Sequence, residues 1–254
     1  MPTVLADAAF GAGPQLWPLP PAASPSEHWL RAVAAGGQGR YAVALAELDL
    51  LNRLRPPSAL SSLAASTRAS FLRQTGWHQR ARGLDGQAWA LAGDPESQAD
   101  ALLGLAADAL GMGRFTASQR LLDRAGEVVG TDRQRVRLAW VGAELAMVSG
   151  RGADAVAHAE TAVARAAEFT SARHVVKSAV VHAAALCSAG RYDDARAVAD
   201  PTLVRAQELG LIPLAWALAC VLADIGSGLC SPQRIAEIKA DAAATVARRG
   251  GVWR

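Results

Sequence analysis

Six glycines recur at nearly equal intervals along the 254-residue chain: Gly39, Gly76, Gly113, Gly150, Gly190 and Gly226, spaced 37, 37, 37, 40 and 36 residues apart. A period of this size marks a repeat array, in which each unit is too small to bury its own apolar face and has to stack on its neighbours. The flanking residues repeat in step. Seven positions before the glycines stand Ala32, Ala69, Ala106, Ala143, Ala183 and Ala219, and five positions after them Ala44, Ala81, Ser118, Ala155, Ala195 and Ser231. Two antiparallel helices approach closely only where neither carries a bulky side chain at the crossing, so small residues at fixed offsets on both sides of a turn glycine describe a helical hairpin. The stretch Leu102–Ala125, LLGLAADALGMGRFTASQRLLDRA, displays one such hairpin in full around Gly113.

This periodicity divides the chain into a proline-rich arm, residues 1–25, a repeat region over residues 26–249 and a short tail, residues 250–254. The arm carries four prolines between Trp17 and Pro25, which remove amide donors and bias their predecessors towards extended backbone. It is expected to hold no helix. Either it is a loose tail, or it is an extended strap that docks Leu16, Trp17 and Leu19 on the protein or on a partner. Ser26 is placed as the cap of the first helix, Asp94 with Pro95 as the start of the third hairpin, and Ser231 with Pro232 as the start of the last helix.

Three places break the pattern. The second hairpin has Arg68 and Asp85 where its neighbours are apolar, and Gly83 and Gly86 weaken its return helix by roughly 1 kcal/mol each relative to Ala. Extra residues around Thr170–Arg173 lengthen the interval before the fifth hairpin. Pro201, preceded by Asp200 as a possible cap, is expected to break and restart the fifth return helix.

The formal charge is +3, carried by 24 Arg and only two Lys, without a block of basic residues, so no nucleic-acid partner is expected. Cys187, Cys220 and Cys230 are odd in number, form no CxxC pair and read as small buried hydrophobes in a reducing cytosol. No apolar run reaches membrane-spanning length and no basic, apolar leader opens the chain, so a cytoplasmic protein without a membrane partner is expected. His28, His78, His158, His174 and His182 are dispersed, and the glycines follow the hinge period instead of a phosphate-loop pattern. The sequence therefore suggests no catalytic residues, no metal site and no cofactor.

The hinge glycine followed two residues later by an aromatic, in Gly39/Tyr41, Gly113/Phe115 and Gly190/Tyr192, together with the small crossing residues, resembles tetratricopeptide repeats. The resemblance covers roughly residues 26–249. The period near 37 exceeds the family's unit of about 34 residues, and His78, Gly152 and Gly228 stand where the turn aromatic belongs. What it implies is an all-α, right-handed superhelical solenoid of about six hairpins. The first helix of each unit would line a concave face that binds a protein or an extended peptide. The longer units also look like repeat regions attached to bacterial transcriptional activators.

Carried onto this sequence, the inward position ten residues before each hinge is held by Trp29, Ser66, Leu103, Trp140, Val180 and Trp216. With Ser70, Arg73, Arg137, Glu144 and Lys177, the residues Trp29, Ser66, Leu103, Trp140 and Trp216 form the candidate binding surface. Trp offers a large face and one N–H donor to a ligand, and the same ring equally fills space between alanine-rich helices; both readings stay open. Arg73, Arg137 and Lys177 are candidates to hold a ligand carboxylate. The function read from the sequence is a non-catalytic binding scaffold. The alternative is a regulatory sensor that binds a small molecule or peptide and controls a transcription factor. No motif identifies the partner or the oligomeric state.

Overall fold

The computed structural model describes residues 3–254. After a short helix α1 (Val4–Phe10), six antiparallel hairpins follow in chain order. They pair α2 (Pro25–Gly37) with α3 (Tyr41–Arg53), α4 (Ser58–Gln74) with α5 (His78–Leu91), and α6 (Pro95–Gly111) with α7 (Phe115–Val128). The second half pairs α8 (Asp132–Val148) with α9 (Gly152–Ala167), α10 (Ala172–Ser188) with α11 (Tyr192–Glu208), and α12 (Ile212–Ile225) with α13 (Pro232–Arg248). Among the described residues there is no strand, and each hairpin packs on the next in a right-handed, tetratricopeptide-like solenoid.

All six hinge glycines have left-handed backbone, with φ between 71° and 90°. At the first five, the amide after the glycine reaches back to the carbonyl five residues earlier, as in Arg114 N to Ala109 O at 2.8 Å. This closes each helix in a way that a residue with a Cβ resists. All six alanines before the hinges are fully buried, as are Ala44, Ala81, Ser118, Ala155 and Ala195 after them. Ser231 departs from the series: it is exposed and caps α13, its hydroxyl accepting from Arg234 N at 3.2 Å. The connection after Gly226 is longer than the other hinges, so Ile235, 1% exposed, packs at the interior of the last hairpin instead.

Several local expectations are corrected. The arm does contain a helix, α1, because Thr3 caps it and its helix-forming residues all lie ahead of Pro14 and the prolines that follow it. The cap of α2 is Ser24, with Pro25 in its first turn, in place of Ser26. The second return helix, α5, is complete, and a Cβ at Gly83 or Gly86 would meet no neighbour. Helix α11 runs unbroken through Pro201; Asp200 caps the Gly226 turn instead, its carboxylate accepting from Ser227 Oγ at 2.5 Å and Gly228 N at 2.7 Å. The three cysteines are free and half-buried, less enclosed than their composition-based reading.

The superhelix brings its ends together within one turn. Gly39 of the first hinge stands against Pro213 of α12 and Val246 of α13. Ala42 N donates to Arg249 O at 2.9 Å, and the Arg249 guanidinium donates to Gln38 O at 2.8 Å. Residues 250–254 fasten this seam. Trp77 Nε1 donates to Val252 O at 2.6 Å, Arg254 N donates to Thr75 O at 3.0 Å, and Trp253 lies against Trp216 with centroids 4.6 Å apart. Ending the chain after Arg249 is expected to leave the helices intact and enlarge the radius of gyration in small-angle scattering. An unchanged radius would mean that the hairpin stack alone sets the curvature.

The N-terminal arm is docked. Leu19 is buried, Gln38 donates to the carbonyls of Pro14 and Leu16 at 2.8 and 2.9 Å, and the Arg40 guanidinium lies 3.8 Å above the Trp17 ring. Helix α1 packs on α2 and reaches α10, where Ala172 N donates to Gly11 O at 3.0 Å. The extra residues before the fifth hairpin are therefore the landing point of the arm, which spans from the first hairpin to the fifth.

Candidate functional site

Because the first helix of every hairpin faces inward, α2, α4, α6, α8, α10 and α12 all contribute to one cavity of about 450 Å³, and Phe10 of the arm forms part of its wall. Such a volume lies within the range of about 300–1,000 Å³ common for ligand pockets. Of the sequence-derived candidates, Trp29, Ser66, Ser70, Arg73, Leu103, Arg137, Trp140, Glu144 and Lys177 lie on this wall. Trp216 does not; it turns to the tail and packs on Trp253. Val180 is also absent, buried between α10 and α12. On α10 the residues that reach the cavity are Arg173, His174 and Lys177, with Arg173 and Lys177 17 and 13 residues before their hinge glycine, as Arg133 and Arg137 are on α8.

The two cavity tryptophans are tied to the scaffold at equivalent places. Trp29 Nε1 donates to Thr67 Oγ1 and Trp140 Nε1 to Ser178 Oγ, each at 2.9 Å and each 38 residues onward. Their single donor is committed to the next inward helix, which leaves only the ring faces for a ligand. Trp140 also stacks on His174, with centroids 5.4 Å apart.

The candidate cations are likewise engaged. Arg73 bridges Asp85, from the irregular second hairpin, and Asp108 of α6, the latter at 2.9 Å. Asp85 fits there because α6 has Gly104, where a Cβ would stand 2.4 Å from the carboxylate. Arg137 pairs with Asp100 at 2.5 Å, Arg133 with Asp100 at 2.9 Å and Glu96 at 3.0 Å, and Lys177 with Glu144 at 3.4 Å. Burial would raise Asp100, but Arg133 and Arg137 outweigh it and hold that carboxyl below its ordinary range. His174 is held well below its ordinary value by burial and then by Arg173, Arg133 and Arg137, so it is neutral at pH 7, with Nδ1 2.7 Å from Ser171 Oγ. Phe10, His78, Arg133, Arg173 and His174 were missed by the sequence reading; the signal that could have joined two of them is that Arg133 and Arg173 each stand 17 residues before a hinge glycine.

Asp85 and Asp108 are fully buried, and each keeps one oxygen, Oδ1 and Oδ2 respectively, with no partner unless the two carboxyls share a proton. Burial raises Asp108, Arg73 opposes this, and the Asp85 charge raises it again, to about 7. This folded value lies above the ordinary 3.8, so the folded chain keeps a proton that the unfolded chain releases. The group's contribution to stability therefore falls as pH rises from about 4 to about 7 and levels off above. Asp108→Asn is expected to be more stable than the parent at pH 8 and to lose that advantage at pH 5, by urea unfolding. Parallel pH profiles would contradict the shared proton.

No family model matches the chain, and no curated protein does. Among solved structures, the crystal structure of Rap protein complexed with competence and sporulation factor is similar at a TM-score of 0.66, with 14% identity, over 91% of this chain and 68% of that one. The likeness lies in the fold. It fits an all-helical, tetratricopeptide-like repeat, and among the described residues no helix is long and apolar enough to cross a membrane.

Proposed function

We propose that this protein is a non-catalytic, cytoplasmic recognition module that binds a short peptide in its central cavity. The observation that carries this reading is the convergence of all six inward helices on one cavity with aromatic faces and charged groups on its wall. Its size suits a few residues of extended chain better than a folded partner. The similar Rap structure was determined as a complex, which supports a binding role for the fold. The irregular second hairpin gives no reason to assign catalysis, since Arg68 pairs with Asp49 and Asp85 pairs with Arg73.

A second reading, a sensor that controls a transcription factor, is favoured by the seam between first and last hairpins. A ligand that binds the closed ring more tightly than an opened one would shift the balance between them. Incubation of the intact chain with a pool of random tetrapeptides, followed by mass spectrometry of what is retained, tests the primary reading. Retention of a defined subset, with a raised Tm, is expected; retention no different from that on an unrelated helical protein would refute it.

A further inference from the structure

Four of the five cations on the cavity wall have a carboxylate partner, and the fifth, Arg173, has no ion pair among the described residues. It is held in place without one. Its side chain lies against α2 where Gly37 has no Cβ, with Cδ 3.0 Å from where that atom would stand, and its guanidinium is 5.9 Å from the Phe10 ring centroid. Arg133 approaches the same ring at 5.6 Å. Arg133 and Arg137 share one enclosed carboxylate, Asp100, and Arg173 adds a third guanidinium to this end of the cavity without adding a carboxylate. Burial, and then repulsion from Arg133 and Arg137, lower Arg173 to about 10, as expected for a cation that its surroundings do not neutralise.

At another part of the wall, Ser66 Oγ and His78 Nδ1 are buried without a hydrogen-bond partner, although buried polar atoms in proteins almost always have one. We infer that the Arg173 end of the cavity seats a carboxylate of the bound peptide, with Phe10, Trp29 and His174 enclosing the side chain beside it. A planar guanidinium binds a carboxylate through two parallel N–H bonds, and an enclosed, positively charged site strengthens that pairing. The inference rests on the peptide reading above and names its anchoring group.

The test offers the intact chain two tetrapeptide pools of the same random composition, one of free acids and one of C-terminal amides. Free acids are expected to be retained, and amides only where they carry Asp or Glu; the second class separates a side-chain carboxylate from a terminal one. Arg173→Gln, checked for folding by circular dichroism, is expected to retain free acids about tenfold less well, with Arg173→Lys intermediate. Equal retention of free acids and non-acidic amides, or undiminished retention by folded Arg173→Gln, would overturn the carboxylate seat while leaving peptide binding standing. Retention of neither pool would overturn both.

Discussion

Replacing Arg73 with Met is expected to lower stability by about 3–5 kcal/mol at pH 8, because it leaves two fully buried carboxyls facing each other with no cation between them. The loss should shrink as pH falls. Once both carboxyls are protonated no charge is left uncompensated, so the variant at pH 5 should approach the parent. Denaturant unfolding at the two pH values reads the difference directly. A small, pH-independent loss would mean that Arg73 is not the keystone of this cluster, and would return it to the ligand-binding role the sequence suggested.

The second large effect belongs to Trp140. Its ring lines the cavity, stacks on His174 and hydrogen-bonds Ser178 on the following inward helix. Trp140→Ala removes all three and is expected to lose about 3 kcal/mol of folding free energy. Trp140→Phe keeps a ring but leaves Ser178 without its donor, for a loss nearer 1 kcal/mol. Both are measured by denaturant unfolding. Unchanged stability in Trp140→Ala would show the ring to be a ligand anchor with no part in the scaffold.

The repeat was legible because it rests on local constraints. A left-handed hinge needs glycine and a close crossing needs a small side chain, and both leave a mark at a fixed period that survives wide variation elsewhere. The inward face of the first four units followed from the same count, which is why Trp29, Ser66, Leu103 and Trp140 meet on one wall. It failed at Val180, which is buried in the packing of the last two hairpins, and at Trp216, which packs on Trp253 of the docked tail. Pairing was not legible at all. Arg73 meets Asp108 and Arg137 meets Asp100 across neighbouring units 35 and 37 residues apart, and no periodicity says which cation finds a carboxylate and which, like Arg173, does not. The helix in the arm was missed because prolines dominate the arm's composition, whereas docking through Leu16, Trp17 and Leu19 was one of the two readings the sequence left open.

The account stands on the cavity being where ligand binds. Ala107 lies on that wall, half-buried and itself in no ion pair, and Ala107→Trp would place a large ring in the cavity. The decisive measurement is retention of the free-acid tetrapeptide pool by Ala107→Trp beside the parent, with circular dichroism and Tm showing that the variant folds. The account predicts a folded protein that retains no peptide. A folded variant that retains the same peptides as well as the parent would place the binding surface elsewhere and contradict it.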